Sequence, residues 1–312
     1  MLKYQNLDSD TQFYFERELE AVKAKSFDVV YPDLKARELF PLDSTTAPGA
    51  QTVSYQSFDM VGVAKLLSNY ADDLPNVEVT GTETTRQIYG IGVAFMYSIQ
   101  DIRASQMAGR PLEQRKANAA QRQLLRKENA LAFNGDARTS IPPFINNPNF
   151  TATTPTDGAV GGLTTWESKS PDEILTDVTN MTIAIRDTTF GTEAPNTLIL
   201  PEKQFALIST TARSSTSDTT ILDFILASNA FVTSILPVYN LKGAAPVNAA
   251  YDSEDCAILY DRNPDKLWLE TPVSPEFFAA QERQLMFEVP GHMRTAGVIC
   301  PYPKSVTQLN GI

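Results

Sequence analysis

The chain has 312 residues, 42% of them hydrophobic, and a formal net charge of -11. Such a length supports a sizeable core in one elaborated domain or two, while the acidic balance argues against nucleic-acid backbones, whose recognition needs clustered Lys and Arg. No stretch reaches the roughly 18 consecutive apolar residues needed to span a bilayer, and "MLKYQNLDSDTQ" has no basic segment followed by an apolar run, so synthesis in the cytoplasm without a secretory signal is expected.

In chain order, "DSDTQFYFERELEAVKAKSF" offers Asp10 as an N-cap, with Phe15, Leu19 and Val22 at helical spacing. Pro32 and Pro41 break any regular element in the stretch that follows. Residues 46 to 88 alternate in the manner of strands, around "ADDLPN" with Asp72, Asp73 and Pro75 as turn chemistry. They read as a long projecting hairpin that rejoins the body near Tyr89 and is marginal unless something covers it. A helix then ends near Gly109, and Pro111 opens the next. From Leu112 to Phe133 the positions Ala117, Ala120, Leu124 and Leu131 recur at intervals of three, four and seven, with Arg115, Arg122, Arg126 and Lys127 off the stripe. That predicts a rod of about 33 Å, stopped by Asn134-Gly135 because glycine turns left-handed freely.

Residues 136 to 165, rich in Thr, Pro and Asn, read as a linker or surface loop with one strand around Phe144. Ser170, Pro171 and Glu173 then stand at the N-cap, N1 and N3 positions of a further helix. The last third alternates: a buried strand "NTLILP", a helix opened by Pro201, and a helix capped by Asp218. Strands follow at "FVTSILPVYN", "DCAILYD" and "KLWLETPV", the last two joined by the turn "RNPD", and then at "RQLMFEV" and "TAGVICPYP", split at Pro290-Gly291. This mixture is neither a βαβ series nor a run of hairpins, so the fold class is α+β.

The usual chemistry is missing. There is no G-x-x-x-x-G-K-[ST] and no G-x-S-x-G, and "GIG" at 90 to 92 lacks a third glycine. His292, in "VPGHMR", reads as a surface or capping histidine rather than a general base. Cys256 and Cys300 read as reduced, buried thiols, and with one histidine and no Cys-x-x-Cys no metal site or cofactor is expected. Asp252, Glu254 and Asp255 read as solvated loop carboxylates and Asp72 and Asp73 as a turn, a weak divalent-cation site being the sharper alternative. No residue set volunteers for catalysis, and no enzyme is expected.

The segments in order, "ARELFPLD", "YADDLPNVEV", "YSIQDIRASQMAGRPLEQRKANAAQRQLLRKENALAFNGD", "PNTLILP" and "MRTAGVICPYPKSV", resemble tailed-bacteriophage major capsid proteins with the HK97-type fold. Each motif alone is moderately specific; the order covers nearly the whole chain. The resemblance implies an N-terminal arm (1–45), an extended loop or E-loop (46–88), a peripheral domain with the spine helix (89–190), an axial domain (191–290) and a return to the peripheral domain (291–312). It implies self-assembly into pentamers and hexamers of an icosahedral or elongated shell in the virion. That shell encloses double-stranded DNA without sequence-specific binding, with portal and scaffolding or decoration proteins as partners and no membrane. Some relatives carry a scaffolding segment of about a hundred residues before the arm, and none is expected here. Lys65 sits near the loop, but nothing in the sequence supplies a crosslinking geometry. The residues expected at contacts between copies are Phe13, Phe15, Tyr55, Phe58, Met60 and Leu66, each worth about 1–3 kcal/mol when fully buried. Those expected to pack the spine helix are Leu112, Ala120, Leu124 and Leu131. A bacterial nanocompartment shell of the same fold is the alternative, and a soluble enzyme, with a pocket and a small oligomer, the reading from another class.

Overall fold

The computed structural model describes residues 32–66, 74–108, 112–159, 161–214, 216, 218–245 and 254–312. Phe13, Phe15 and the N-terminal helix, together with Asp72, Asp73, Gly109, Pro111 and Asp252, lie outside them, as does the side chain of Leu112. Six helices and fourteen strands are described, in the order α1 (Ala36–Leu39), β1 (Leu42–Asp43), β2 (Thr52–Val61), β3 (Glu78–Gln87), β4 (Tyr89–Ser98), α2 (Ile99–Ala108), α3 (Leu112–Asn134), β5 (Thr151–Thr153), α4 (Pro171–Thr188), β6 (Thr197–Leu200), α5 (Glu202–Thr210), α6 (Ile221–Ser228), β7 (Ser234–Pro237), β8 (Cys256–Tyr260), β9 (Trp268–Glu270), β10 (Val273–Phe277), β11 (Gln281–Arg283), β12 (Met286–Thr295), β13 (Gly297–Ile299) and β14 (Val306–Asn310).

In a five-stranded sheet, ordered β5-β14-β8-β6-β7, the inner strands β14, β8 and β6 are buried on both faces. Along β8 the side chains alternate between two cores. Cys256, Ile258 and Tyr260 join one with Leu39, Phe40, Phe133 and Phe144. Ala257 and Leu259 join the other with Ile174, Val178, Met181 and Ile185 of α4, Ile208 of α5 and Ile225 of α6. Double coverage explains why β6 and β8 read as apolar runs rather than as alternation. Behind α4, the fully buried Lys169 Nζ lies 2.5 Å from Asp177 Oδ2. Asp177 also accepts from Trp166 Nε1 at 3.1 Å and from the Thr156 N–H at 3.0 Å, so the dry ion pair is bonded on every side.

The spine helix α3 ends as its sequence dictates. Gly135 takes φ 62°, and a Cβ there would stand 2.4 Å from the Ile141 carbonyl oxygen, so the helix stops at Asn134. Ala120, Leu124 and Leu131 are buried as expected, and the stripe includes a carboxylate, Glu128. Glu128 accepts from Arg37 Nε at 2.6 Å and Nη2 at 3.1 Å, and from Thr271 Oγ1 at 2.8 Å. With Asn129 Oδ1 accepting from the Ala36 N–H at 3.0 Å, it seats the single helical turn α1 on the spine.

Several expectations are corrected. Residues 136–165 are not a linker: Ile141, Phe144, Ile145 and Phe150 are core, and the strand lies at β5, not at Phe144. Thr220, not Asp218, caps α6, accepting from the Asp223 N–H at 3.1 Å. Strands β8 and β9 do not form a hairpin, since β8 joins the five-stranded sheet and β9 pairs with β1 and β13. Nor does Pro290-Gly291 divide a strand, for β12 runs through it. A strand residue's N and C=O point to the same edge, and the Pro290 carbonyl faces the Phe278 N–H. That edge is the gap where β10 has ended and β11 has not begun, so the absent donor goes unmissed.

The grouping of segments also differs from the sequential one. Helix α4 packs on the five-stranded sheet rather than with the spine helix. Strands β10 to β12 form a sheet with β4, beside the spine, instead of belonging with residues 191–290. The last segment divides, β12 and β13 staying near the spine while β14 enters the five-stranded sheet. A sheet recruits edges by register and apolar face, and here those edges lie far apart in sequence.

Candidate functional site, an assembly surface

Strands β2 and β3 pair over ten residues each, from Thr52↔Gln87 to Val61↔Glu78, and among the described residues they join no other sheet. At about 3.4 Å per residue the ribbon is about 34 Å long. Its sequence favours this pairing: Thr-rich β3 suits a pleated surface, and Ser57 Oγ meets Thr82 Oγ1 across the ribbon at 2.7 Å. Phe58 lies over Gly81, where its ring covers the glycine that would otherwise weaken the strand.

The two faces differ. Tyr55 turns toward its own chain, its ring 6.4 Å from that of Trp268, and it is partly covered there. Trp268 is held in turn by Glu270, whose Oε2 accepts from its Nε1 at 2.9 Å. The opposite face carries Phe58 and Met60, 69% and 78% exposed, with Val79 paired to Met60; Leu66 further along is 98% exposed. A two-stranded ribbon with an apolar face in water is both marginal and adhesive.

The remaining chemistry-bearing residues are structural. His292 lies within β12, not in a turn, its Nδ1 3.8 Å from Glu276 Oε1. Asp255 is no solvated loop carboxylate: its oxygens accept from Gln204 Nε2 at 2.8 Å and the Gly243 N–H at 2.7 Å, binding α5 to the loop before β8. Burial pushes the Cys256 thiol up to about 12 and the Cys300 thiol up to about 11, so both are protonated at neutral pH. Lys266 bridges Glu193 and Asp261 at 2.5 and 2.8 Å. Among the described residues no group of three or more His, Cys, Asp or Glu is gathered to hold a metal, and no helix is long and apolar enough to cross a membrane. Sequence reasoning missed Glu128, although its place four residues after Leu124 put it on the buried stripe.

Solved structures share this α+β fold. The capsid of Myoviridae Phage XM1 matches with a TM-score of 0.80 at 14% identity, over 96% of this chain and 99% of that one. The capsid of the native GTA particle matches at 0.65 and 11% identity, over 95% and 96%. The virus-like particle from Pyrococcus furiosus matches at 0.53 and 14% identity, over 87% and 90%. At these identities the likeness establishes the fold, which is HK97-like. No curated protein matches at the sequence level. The family model for the major capsid protein covers residues 62–312, and the chain belongs to that family. It is a capsid shell protein of the virion that assembles as a multimer; the nanocompartment reading is not favoured.

Proposed function

We propose that the chain forms the pentamers and hexamers of an icosahedral or elongated shell closed around viral double-stranded DNA, with the β2–β3 ribbon of one copy laid across the next. The observation that carries this reading is the uncovered face of Phe58, Met60 and Val79 on a ribbon that, among the described residues, has no other sheet beside it. Burying each such side chain stabilises a contact by about 1–3 kcal/mol. Many modest contacts, rather than one tight one, let misplaced subunits leave before closure. The spine helix with β4 and β9 to β13 serves as the peripheral domain. The five-stranded sheet with α4 to α6 serves as the axial domain, its tips meeting at the five-fold and quasi-six-fold axes. The chain is made in the host cytoplasm and works with a portal and with scaffolding or decoration proteins. The acidic chain, at -11, encloses DNA without sequence-specific binding.

The test is expression of the chain alone, followed by negative-stain electron microscopy. Closed particles, tubes or capsomer rings are expected, with virus-sized diameters and the capacity to hold nucleic acid. A chain that stays monomeric at high concentration, both alone and with a co-expressed scaffold, overturns the reading.

A further inference from the structure

The end of α4 is built in an unusual way. The Gly191 N–H donates to the Arg186 carbonyl at 2.7 Å and the Phe190 N–H to the Asp187 carbonyl at 3.4 Å. This is the paired bonding of a helix terminus whose first residue beyond the cap is left-handed, a position that glycine usually fills. Here it is Phe190, at φ 52°, with the glycine one place too late. A bulky side chain in this region strains the backbone, and burial does not compensate, because Phe190 is 97% exposed. The turn is nonetheless tied to its surroundings. Thr189 Oγ1 donates to the Ile185 carbonyl at 2.8 Å and accepts from the Glu193 N–H at 3.3 Å, and Glu193 is clamped by Lys266. The fold thus spends strain to hold an aromatic ring out into water, and persistent strain of this kind marks a functional position.

A complementary surface lies beside it. Helices α4 and α6 flank an apolar groove of about 410 Å³ lined by Leu175, Ile183, Phe224 and Phe231, with Arg186 at its mouth. The Arg186 guanidinium stands 4.5 Å from the Phe231 ring centroid and also borders the Phe190 turn, its Nη2 3.4 Å from where a Cβ on Gly191 would lie. Knob and groove therefore adjoin on one face of the same chain. A cation at the mouth that already faces one aromatic ring favours the arrival of another. A protein that builds a multimer from itself needs such paired surfaces, since the knob of one copy must meet the groove of another.

We propose that the Phe190 turn of one copy seats in the α4–α6 groove of a second copy, as a contact separate from the β2–β3 ribbon. The proposal rests on the shell reading, so the wild-type chain is assembled first; a wild type that forms no particles sinks both. With particles in hand, Phe190→Gly is compared with wild type by thermal melting of the unassembled chain and by the threshold concentration for particles, read by sedimentation. Glycine adopts a positive φ freely, so this variant melts at or above the wild-type temperature. Its assembly threshold rises by about tenfold or more, the loss expected for one buried aromatic. Phe190→Ala raises the threshold similarly. Ile183→Gln, on the groove, also raises it, and the double variant Phe190→Gly with Ile183→Gln does no worse than the poorer single one. Three results overturn the proposal while leaving the shell reading intact. They are wild-type assembly by Phe190→Gly, a melting temperature well below wild type, which would give the ring a role in its own fold, and additive thresholds in the double variant, which would place the seat elsewhere.

Discussion

Strands β8 and β2 are both rich in residues that suit a sheet, yet they end in opposite surroundings. All five residues of β8, "CAILY", are buried between β14 and β6 with a core on each face. In β2, "TVSYQSFDMV", only Val53 and Tyr55 are partly covered, and β3 is its one partner. The same residue chemistry therefore serves two ends. In the sheet it holds one chain together, whereas on the ribbon it has no place within the chain and is available to another. Apolar content alone does not separate a core from an interface; the number of covered faces does.

That contrast is testable by asking where a substitution is felt. The largest effect is expected beside the sheet, at Lys169→Met. Removing the ammonium leaves Asp177 buried with neutral donors only, a loss of about 3–5 kcal/mol. Urea unfolding of the unassembled chain measures it, and a loss of about 1 kcal/mol or less would show that the pair behaves like a surface one. On the ribbon, Met60→Ser and Val79→Ser should each change the unassembled chain's stability by no more than about 0.5 kcal/mol, and Phe58→Ser by up to about 1 kcal/mol because its ring covers Gly81, while the triple variant stops forming particles. A triple variant that melts far below wild type would mean that the ribbon face is packed by its own chain. The smallest effect belongs to Glu173, exposed at the start of α4. The Ser170 N–H, then the Ala159 N–H and the Ser170 hydroxyl, hold its carboxyl below the ordinary value of 4.5. A lowered value in the folded chain means stability that is present above pH 4.5 and lost as pH falls through the folded value. Glu173→Gln should flatten that part of the acid limb in urea titrations and leave particle formation at neutral pH unchanged. An identical acid limb in both proteins would count against the cap.

How far the sequence could be read depended on whether the deciding physics was local. The spine helix was legible because Ala120, Leu124 and Leu131 repeat on one face and Asn134-Gly135 supplies its own stop. The cap of α4 was legible because Ser170 and Glu173 meet within one turn. The burial of Phe144, Ile145 and Phe150 was not, since single apolar residues among Pro and Asn show no period; what buries them is the sheet and α3. Pro290 looked like a break because the gap between β10 and β11 that tolerates it is a property of the partner strands. On the ribbon, the exposure of Phe58, Met60 and Leu66 follows from their place on an uncovered face, whereas the direction of Tyr55 was not legible, for it depends on Trp268, far away in sequence. Phe190 gave no signal, because a left-handed residue next to a glycine is invisible until the helix end is located.

The place of β14 between β5 and β8 has a consequence in time. As the chain leaves the ribosome, β5, β6, β7 and β8 all emerge before the strand that ties β5 to β8. The β2–β3 ribbon needs only neighbours close in sequence, and hairpins of local contacts close in microseconds, while sheets built from distant segments are slow. The ribbon strands are thus able to pair while the main sheet is still open, although the ribbon stays marginal until something covers it. During that interval encounters between chains compete with folding, so the rate of synthesis, and not the affinity of the finished contacts alone, bears on how much protein reaches the shell rather than an aggregate.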